Sequence, residues 1–224
     1  GYLRFIPFVN FLLSKINLLI SSYVIYVFLP NTKNIYISHD IYDTPMVNKK
    51  IKKKLFLELS KLDYIFVSSK IVKKYFQNTF KKFLKINKNI KAKLVNTGYL
   101  KLDHVSRVLK NKKSKASHIL IAPTAINHYK NINLSLNISN IIHLLIKKEY
   151  KIIYRPHPMD LTKRGDTKLV DQIIKKFHSY ENFEIDTSTS FLASYSKSKL
   201  LITDFSGTAY TYSFSTNKPV IFFS

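Results

Sequence analysis

The second half of the chain alternates short apolar runs with helical stretches, and this alternation constrains the fold more than any other feature. Apolar runs of strand length lie at 118–123, 150–154, 182–185, 199–203 and 219–223. Stretches with helical character separate them at 132–148, 168–178, 190–196 and 208–215. Strands that alternate with helices form parallel sheets with crossover helices, so the sequence predicts a Rossmann-like domain.

The first half follows the same pattern less regularly, with strands predicted at 23–29, 34–38, 63–67 and 93–96 and helices at 49–61 and 69–83. A lysine-rich polar segment divides the halves. We therefore predict an N-terminal α/β domain over 1–110, a linker over 111–117 and a second α/β domain over 118–224, with a cleft between the two.

The ends of the chain and its apolar segment near the start bear on completeness and on membrane insertion. Residues 16–30 are apolar but shorter than the ~20 residues of a spanning helix, so we expect the end of a helix and a strand there. The chain begins with Gly1 and ends at Ser224 after an apolar run, which indicates a fragment whose second domain is incomplete.

The formal net charge of +24 indicates anionic partners. Of the 37 basic residues 33 are lysine, whereas arginine is the commonest reader of base edges. We therefore expect anionic membrane surfaces, nucleotides or polyanionic polymers as partners rather than a specific nucleic acid. Cysteine is absent, which excludes disulfides, thiolate metal sites and cysteine catalysis.

Ligands of parallel α/β sheets bind at the carboxyl ends of the strands, and polar residues follow three of the predicted strands. His39 follows the strand at 34–38 and is a candidate general base. Arg155 and His157 stand in the rigid sequence RPHP after the strand at 150–154, where they are candidates for a phosphate clamp.

The third cluster lies between the strand at 199–203 and the next helix, and consists of Thr203, Asp204, Ser206, Gly207 and Thr208. Hydroxyls and free amides at a helix start can bind an anion. The same residue types also serve as helix N-caps, and the two roles are compatible. In contrast, Gly98 and the residues after it are more typical of a turn between domains.

The sequence lacks the motifs of several other enzyme classes: it has no HExxH, GxGxxG, GxxxxGK[ST] or GxSxG. We therefore expect neither a metal centre nor a cofactor.

In order along the chain, several stretches resemble the CDP-glycerol glycerophosphotransferase family, which includes teichoic-acid polymerases and enzymes of capsule synthesis. They are VSSKIVKKYF (67–76), NTGYLKLD (96–103), ILIAPT (119–124), YKIIYRPHP (150–158) and LLITDFSGTAYTYSFSTNKPVIFF (200–223). The last two, which contain the His-Pro and Thr-Asp-aromatic-Ser elements, are the most specific.

The resemblance implies a GT-B architecture of two Rossmann-like domains. It also implies transfer of glycerol phosphate from CDP-glycerol to a hydroxyl of a membrane-linked anionic polymer, at the cytoplasmic face of a bacterial membrane. By the same resemblance, His157 contacts the donor phosphates or assists the departure of CMP, and His39 takes the proton from the acceptor. Arg155 adds positive charge, and Thr203, Ser206 and Thr208 hold phosphate oxygens.

The sequence departs from the family pattern at three places. Asp40 follows His39 where the family shows glycine and then a nearby lysine, Gly207 replaces a second serine, and Thr211 replaces an aspartate. These changes suggest a divergent branch with a different donor or acceptor.

Three alternatives stay open at this point. One keeps the fold and changes the chemistry, to a GT-B sugar-nucleotide glycosyltransferase or an enzyme similar to UDP-sugar epimerases. Another is a basic module that binds polyanions without catalysis. The last is an inactive scaffold.

Overall fold

The computed structural model consists of two compact units, Gly1–Leu100 and Lys101–Ser224. The structure describes residues 15–24, 31–38, 46, 49–84, 90–111, 115–126, 134–162, 167–204 and 206–223. Each unit contains one sheet, and every strand pair among these residues is parallel. The predicted α/β class is therefore confirmed.

The sheet of the first unit has four strands in the order β1-β2-β3-β4. They are β1 (Leu18–Ser21), β2 (Lys33–Ile37), β3 (Tyr64–Val67) and β4 (Lys93–Asn96), with helices α1 (Lys52–Leu59) and α2 (Lys70–Phe83) between them. The helices bury an aromatic core in which the ring centroid of Phe56 lies 5.0 Å from that of Phe76 and 5.2 Å from that of Phe80.

Asp63 fastens the amino ends of these strands, because it directly precedes β3. Its Oδ2 accepts the backbone N–H of Asn34 at 2.9 Å, and its Oδ1 lies 3.1 Å from the Lys91 ammonium. Burial alone would raise the pKa of Asp63, but the hydrogen bond from Asn34 and the positive charge of Lys91 outweigh it, so its pKa lies below the usual value.

The sheet of the second unit has five strands in the order β7-β6-β5-β8-β9. They are β5 (His118–Ile121), β6 (Ile152–Tyr154), β7 (Phe183–Ile185), β8 (Ser198–Thr203) and β9 (Val220–Phe222). The chain runs outward from β5 to β7 and then crosses to β8 on the other side. The order in which strands are added to the sheet therefore changes side at β5, and open α/β sheets bind ligands at such a point.

Helices cover both faces of this sheet, as the alternating sequence requires. They are α3 (Leu100–Lys110), α4 (Leu134–Lys147), α5 (Thr167–Phe177), α6 (Leu192–Lys197) and α7 (Gly207–Thr216). Ile119 and Ile121 of β5 pack in a core with α4 and α5, whereas Leu120 packs with Val105 of α3 and Tyr212 of α7. The period of two along the strand thus divides its side chains between two cores.

Helix α3 was not predicted from the sequence, because the residues after Gly98 are typical of a turn. Gly98 does turn, with φ at +78°, but α3 begins two residues later and buries Val105 in the second unit. The division at Leu100 therefore precedes the predicted linker at 111–117.

Most other predicted elements agree with the structure to within a few residues. Most of the strand expected at 23–29, residues 25–29, lies outside the described residues, and the described strand in this region is β1. Within the described ranges, no helix has both the length and the apolar character needed to cross a bilayer.

Candidate functional site

Segments that carry predicted site residues converge at the carboxyl edge of the second sheet, on either side of β5. The backbone N–H of Arg155, after β6, donates to Ile121 O at 2.9 Å, and that of Ala122, after β5, donates to Ile202 O of β8 at 3.1 Å. The ends of β6, β5 and β8 are therefore hydrogen-bonded neighbours, and the residues that follow them share one edge.

His157 is held at the start of a short 3₁₀ turn, Pro158–Leu161. Its Nδ1 accepts the backbone N–H of Met159 at 3.1 Å. A ring nitrogen that accepts a hydrogen bond carries no proton, so the neutral ring carries its proton on Nε2. The side chain is partly exposed, and this tautomer makes Nε2–H a donor suited to a phosphate oxygen.

Arg155 is bound to the loop after β7. Its Nη1 donates to Asp186 Oδ2 at 2.6 Å, and its Nη2 donates to the carbonyl of Ser188 at 2.8 Å. Burial would raise the pKa of Asp186, but hydrogen bonds from Ser188, Ser194 and Arg155 hold it below the usual value. Arg155 thus joins the carboxyl ends of β6 and β7.

Ser206, Gly207 and Thr208 form the start of α7 and are partly exposed. Ser206 is the N-cap residue, and its Oγ accepts the backbone N–H of Thr208 at 3.2 Å. The first amides of this ten-residue helix and two hydroxyls therefore lie at the sheet edge, an arrangement that suits an anion.

Thr203 and Asp204 are buried and face the protein rather than solvent, with exposed fractions of 0% and 1%. The Thr203 hydroxyl donates to Ala122 O at 2.6 Å. Asp204 accepts the backbone N–H of Thr124 on Oδ1 at 2.8 Å and that of Leu134 on Oδ2 at 3.1 Å. These contacts differ from the phosphate contacts expected of both residues, because their polar atoms bind the backbone of the β5–α4 segment.

Asp160 is a buried acid of this edge that the sequence analysis did not single out. It lies in the 3₁₀ turn after His157, is 1% exposed, and accepts the backbone N–H of Ile126 at 3.2 Å on Oδ2. The signal available in the sequence was an acid three residues after a histidine that caps a turn, which is too weak a pattern to assign a role.

Lys218 was also missed as a structural residue, although it leads the Lys-Pro strand of the resemblance. Its ammonium donates to the carbonyls of Ser198 at 2.5 Å and Tyr195 at 2.9 Å. Burial lowers the pKa of this amine. Lys218 thereby ties the start of β9 to the end of α6.

The predicted base His39 lies outside the described residues, so its role stays a prediction. Ser38, which directly follows β2 and precedes His39, is buried. Among the described residues there is no group of three acidic or histidine side chains placed to hold a metal ion.

Comparison with known proteins gives one family and a group of similar folds. The sequence profile described as CDP-Glycerol:Poly(glycerophosphate) glycerophosphotransferase matches residues 32–224. No curated protein matches the sequence.

Solved structures of the wall teichoic acid polymerase TagF are similar in fold. One TagF variant shares 20% identity and a TM-score of 0.53, over 93% of this chain and 54% of TagF. Another TagF structure, soaked with CDPG, has 20% sequence identity and a TM-score of 0.52, and the match covers 92% of this chain and 52% of TagF. The UDP-GlcNAc 2-epimerase of Methanocaldococcus jannaschii has 14% sequence identity and a TM-score of 0.53, and the match covers 84% of this chain and 59% of the epimerase. The chain spans about half the length of these TagF structures, and its fold is of the GT-B type.

Proposed function

The chain belongs to the CDP-glycerol:poly(glycerophosphate) glycerophosphotransferase family, and from this premise we propose that it transfers glycerol phosphate, or a related polyol phosphate, from a CDP-activated donor to a hydroxyl of a cell-surface polymer. The acceptor is a teichoic acid or a capsule polymer. The observation that carries the proposal is the placement of His157 and the start of α7 after β6 and β8, on the two sides of the central strand β5.

The donor side of the reaction is assigned to these two elements. His157 donates Nε2–H to a phosphate oxygen of the donor or to the oxygen of departing CMP. Ser206 and Thr208 contribute hydroxyls, and the start of α7 contributes amide N–H groups. Catalysis of phosphoryl transfer rests mainly on positioning and on stabilisation of charge, and both elements supply donors for the anionic oxygens.

The step itself balances without a further reactant. The acceptor hydroxyl oxygen forms a bond to the phosphorus that bears glycerol, and the bond from that phosphorus to the bridging oxygen breaks. CMP leaves with the electron pair. The hydroxyl proton passes to a base, the role that the sequence predicts for His39.

The basic surface of the first unit supports an anionic acceptor and a peripheral position at the inner face of a bacterial membrane. Lys49, Lys52 and Lys82 lie close enough for their charges to interact. Burial, followed by the charges of Lys82 and Lys49, lowers the pKa of Lys52. A cluster of like charges is relieved when it binds a polyanion or an anionic lipid surface, and this binding weakens as salt rises.

Ligand-induced stabilisation tests the proposal. We expect CDP-glycerol, CDP-ribitol or CMP to raise the unfolding temperature of the protein, since a ligand at one hundred times its dissociation constant adds ~2.7 kcal/mol. The shift should disappear in His157→Ala and Ser206→Ala. His143→Ala, on the exposed side of α4, is the matched control and should keep it.

Other outcomes of this experiment would contradict the proposal. A shift with UDP-sugars alone would indicate a glycosyltransferase or an epimerase-like enzyme on the same fold. No shift with any nucleotide, together with salt-sensitive binding to anionic polymers, would indicate a binding module without catalysis.

A further inference from the structure

The segment that follows the central strand β5 has no role in the function described so far, although it contains the end of the ILIAPT stretch. Residues 122–126 leave the sheet at the end of β5, where the order of the strands changes side. The segment borders the two proposed donor-binding elements, because β5 pairs with β6 on one side and with β8 on the other. A residue that holds this segment is therefore placed to orient both neighbouring elements.

Asp204 fixes the segment from the β8 side. Its two carboxylate oxygens accept two different amides, that of Thr124 within the segment and that of Leu134 at the start of α4. Its own carbonyl accepts the backbone N–H of Ser206 at 2.7 Å, and Ser206 caps α7. One buried residue thus links the segment, the start of α4 and the start of α7.

Asp160 fixes the same segment from the β6 side. Both of its carboxylate oxygens lie within 3.3 Å of the backbone nitrogen of Ile126. Its own N–H donates to His157 O at 2.9 Å, in the turn whose Met159 amide donates to the His157 ring. The segment is therefore coupled to His157 through this acid.

Direct contact between these acids and the donor is electrostatically unfavourable, because a carboxylate repels a phosphate. Hydrogen bonding to backbone amides gives the acids a role that is compatible with an anionic ligand. Each acid is 1% exposed, and the backbone amides of Thr124, Leu134 and Ile126 donate hydrogen bonds to the two carboxylates.

We infer that Asp160 and Asp204 are positioning residues for the donor and that they act jointly through residues 122–126, which hold His157 and the start of α7 at a fixed separation. The inference rests on the proposed function. It assigns a role to the ILIAPT stretch, and it replaces phosphate contact by Asp204 with orientation of the groups that make that contact.

The test uses variants that differ in the number of acceptor oxygens they retain. Asp204→Asn loses one of the two acceptors that serve separate amides, and Asp160→Ala loses the acceptor of Ile126. Both should raise the dissociation constant for CDP-glycerol by ~10–100-fold, the size of effect seen when a residue that orients ligand-binding groups from behind is removed. Asp160→Asn keeps one oxygen for Ile126 and should restore most of the affinity. Asp171→Asn, on the exposed side of α5, is the control.

Two further measurements separate positioning from general destabilisation. Amide hydrogen exchange should accelerate at Thr124 and Leu134 in Asp204→Asn and at Ile126 in Asp160→Ala. Because both acids act on one segment, the double variant should bind CDP-glycerol no more weakly than about the worse single variant.

The outcomes distinguish this inference from the proposed function. If the unaltered protein binds CDP-glycerol and the variants bind it equally well, or if the two losses simply add, the inference is overturned and the proposed function stands. If Asp160→Asn binds as poorly as Asp160→Ala, the charge rather than the acceptor matters, and the inference is again overturned. Absence of binding by the unaltered protein overturns the proposed function itself.

Discussion

The two sheets place their buried acids at opposite ends of the strands. In the first unit Asp63 precedes β3 and joins the amino ends of neighbouring strands, where exposed Lys91 balances its charge. In the second unit Asp160 and Asp204 follow β6 and β8 and bind backbone amides of the β5–α4 segment. Since ligands bind at the carboxyl edge, we expect the acid at the amino edge to serve stability, and the acids at the carboxyl edge also to set the positions of the proposed donor-binding groups.

The largest expected effect is a loss of transfer activity at the carboxyl edge of the second sheet. His157→Asn retains an oxygen that can accept the Met159 amide, as an N-cap should, but it lacks a donor at the position of Nε2. We expect the transfer rate with CDP-glycerol to fall ~10²–10⁴-fold, the usual contribution of a positioned acid or base, while the unfolding temperature changes little. Steady-state kinetics and thermal unfolding of the same sample measure both effects.

His157→Ala removes the cap as well and should add a loss of stability of about 1 kcal/mol. If His157→Asn keeps full activity, the proposal that Nε2–H binds a phosphate oxygen of CDP-glycerol is wrong.

A smaller effect, on stability, is expected at the amino edge of the first sheet. Asp63→Asn removes one acceptor of the Asn34 amide or of the Lys91 ammonium, and we expect the free energy of unfolding to fall by about 1–3 kcal/mol. Affinity for CDP-glycerol should not change, because Asp63 lies in the other unit at the amino edge of its sheet. Denaturant unfolding and nucleotide titration measure the two quantities. A loss of affinity comparable to that in Asp204→Asn would break the distinction between the two edges.

The smallest effect is a dependence of stability on acid. The pKa values of Asp63 and Asp186 lie below those in the unfolded chain, so each carboxylate adds stability above its unfolded pKa. That stability is lost as pH falls below about 4, through the folded values.

Thermal unfolding between pH 6 and pH 2.5 should therefore show a decrease that becomes shallower in Asp63→Asn and in Asp186→Asn. Unchanged pH profiles in both variants would show that neither carboxylate has a depressed pKa.

The alternation of apolar runs and helical stretches was sufficient to predict the second sheet, because parallel strands buried on both faces have an unmistakable apolar pattern. Helix α3 was missed since its apolar stripe follows the turn at Gly98 without a separating loop. The first unit was harder, because its outer strands β1 and β4 are largely exposed and lack a continuous buried apolar pattern.

The sequence located the carboxyl-edge clusters but could not assign the direction of each side chain. Thr203 and Asp204 stand beside Ser206 in the sequence, and all three types suit either an N-cap or a phosphate. The structure separates them: Ser206 caps α7 at the surface, whereas Thr203 and Asp204 turn inward to the β5–α4 segment. Asp160 had no recognisable motif because its partner is a backbone amide, and backbone donors leave no trace in the sequence.

That Asp160 and Asp204 bind main-chain amides has a consequence for evolution and for engineering. Every amino acid except proline offers the same N–H, so substitutions at Thr124, Ile126 and Leu134 leave these hydrogen bonds available. Leu134 is buried in the core and constrained by packing, whereas Thr124 and Ile126 are partly exposed and have more freedom to vary while the acids stay in place. A library that varies Thr124 and Ile126 and omits proline at both positions would test whether this segment influences the choice of donor.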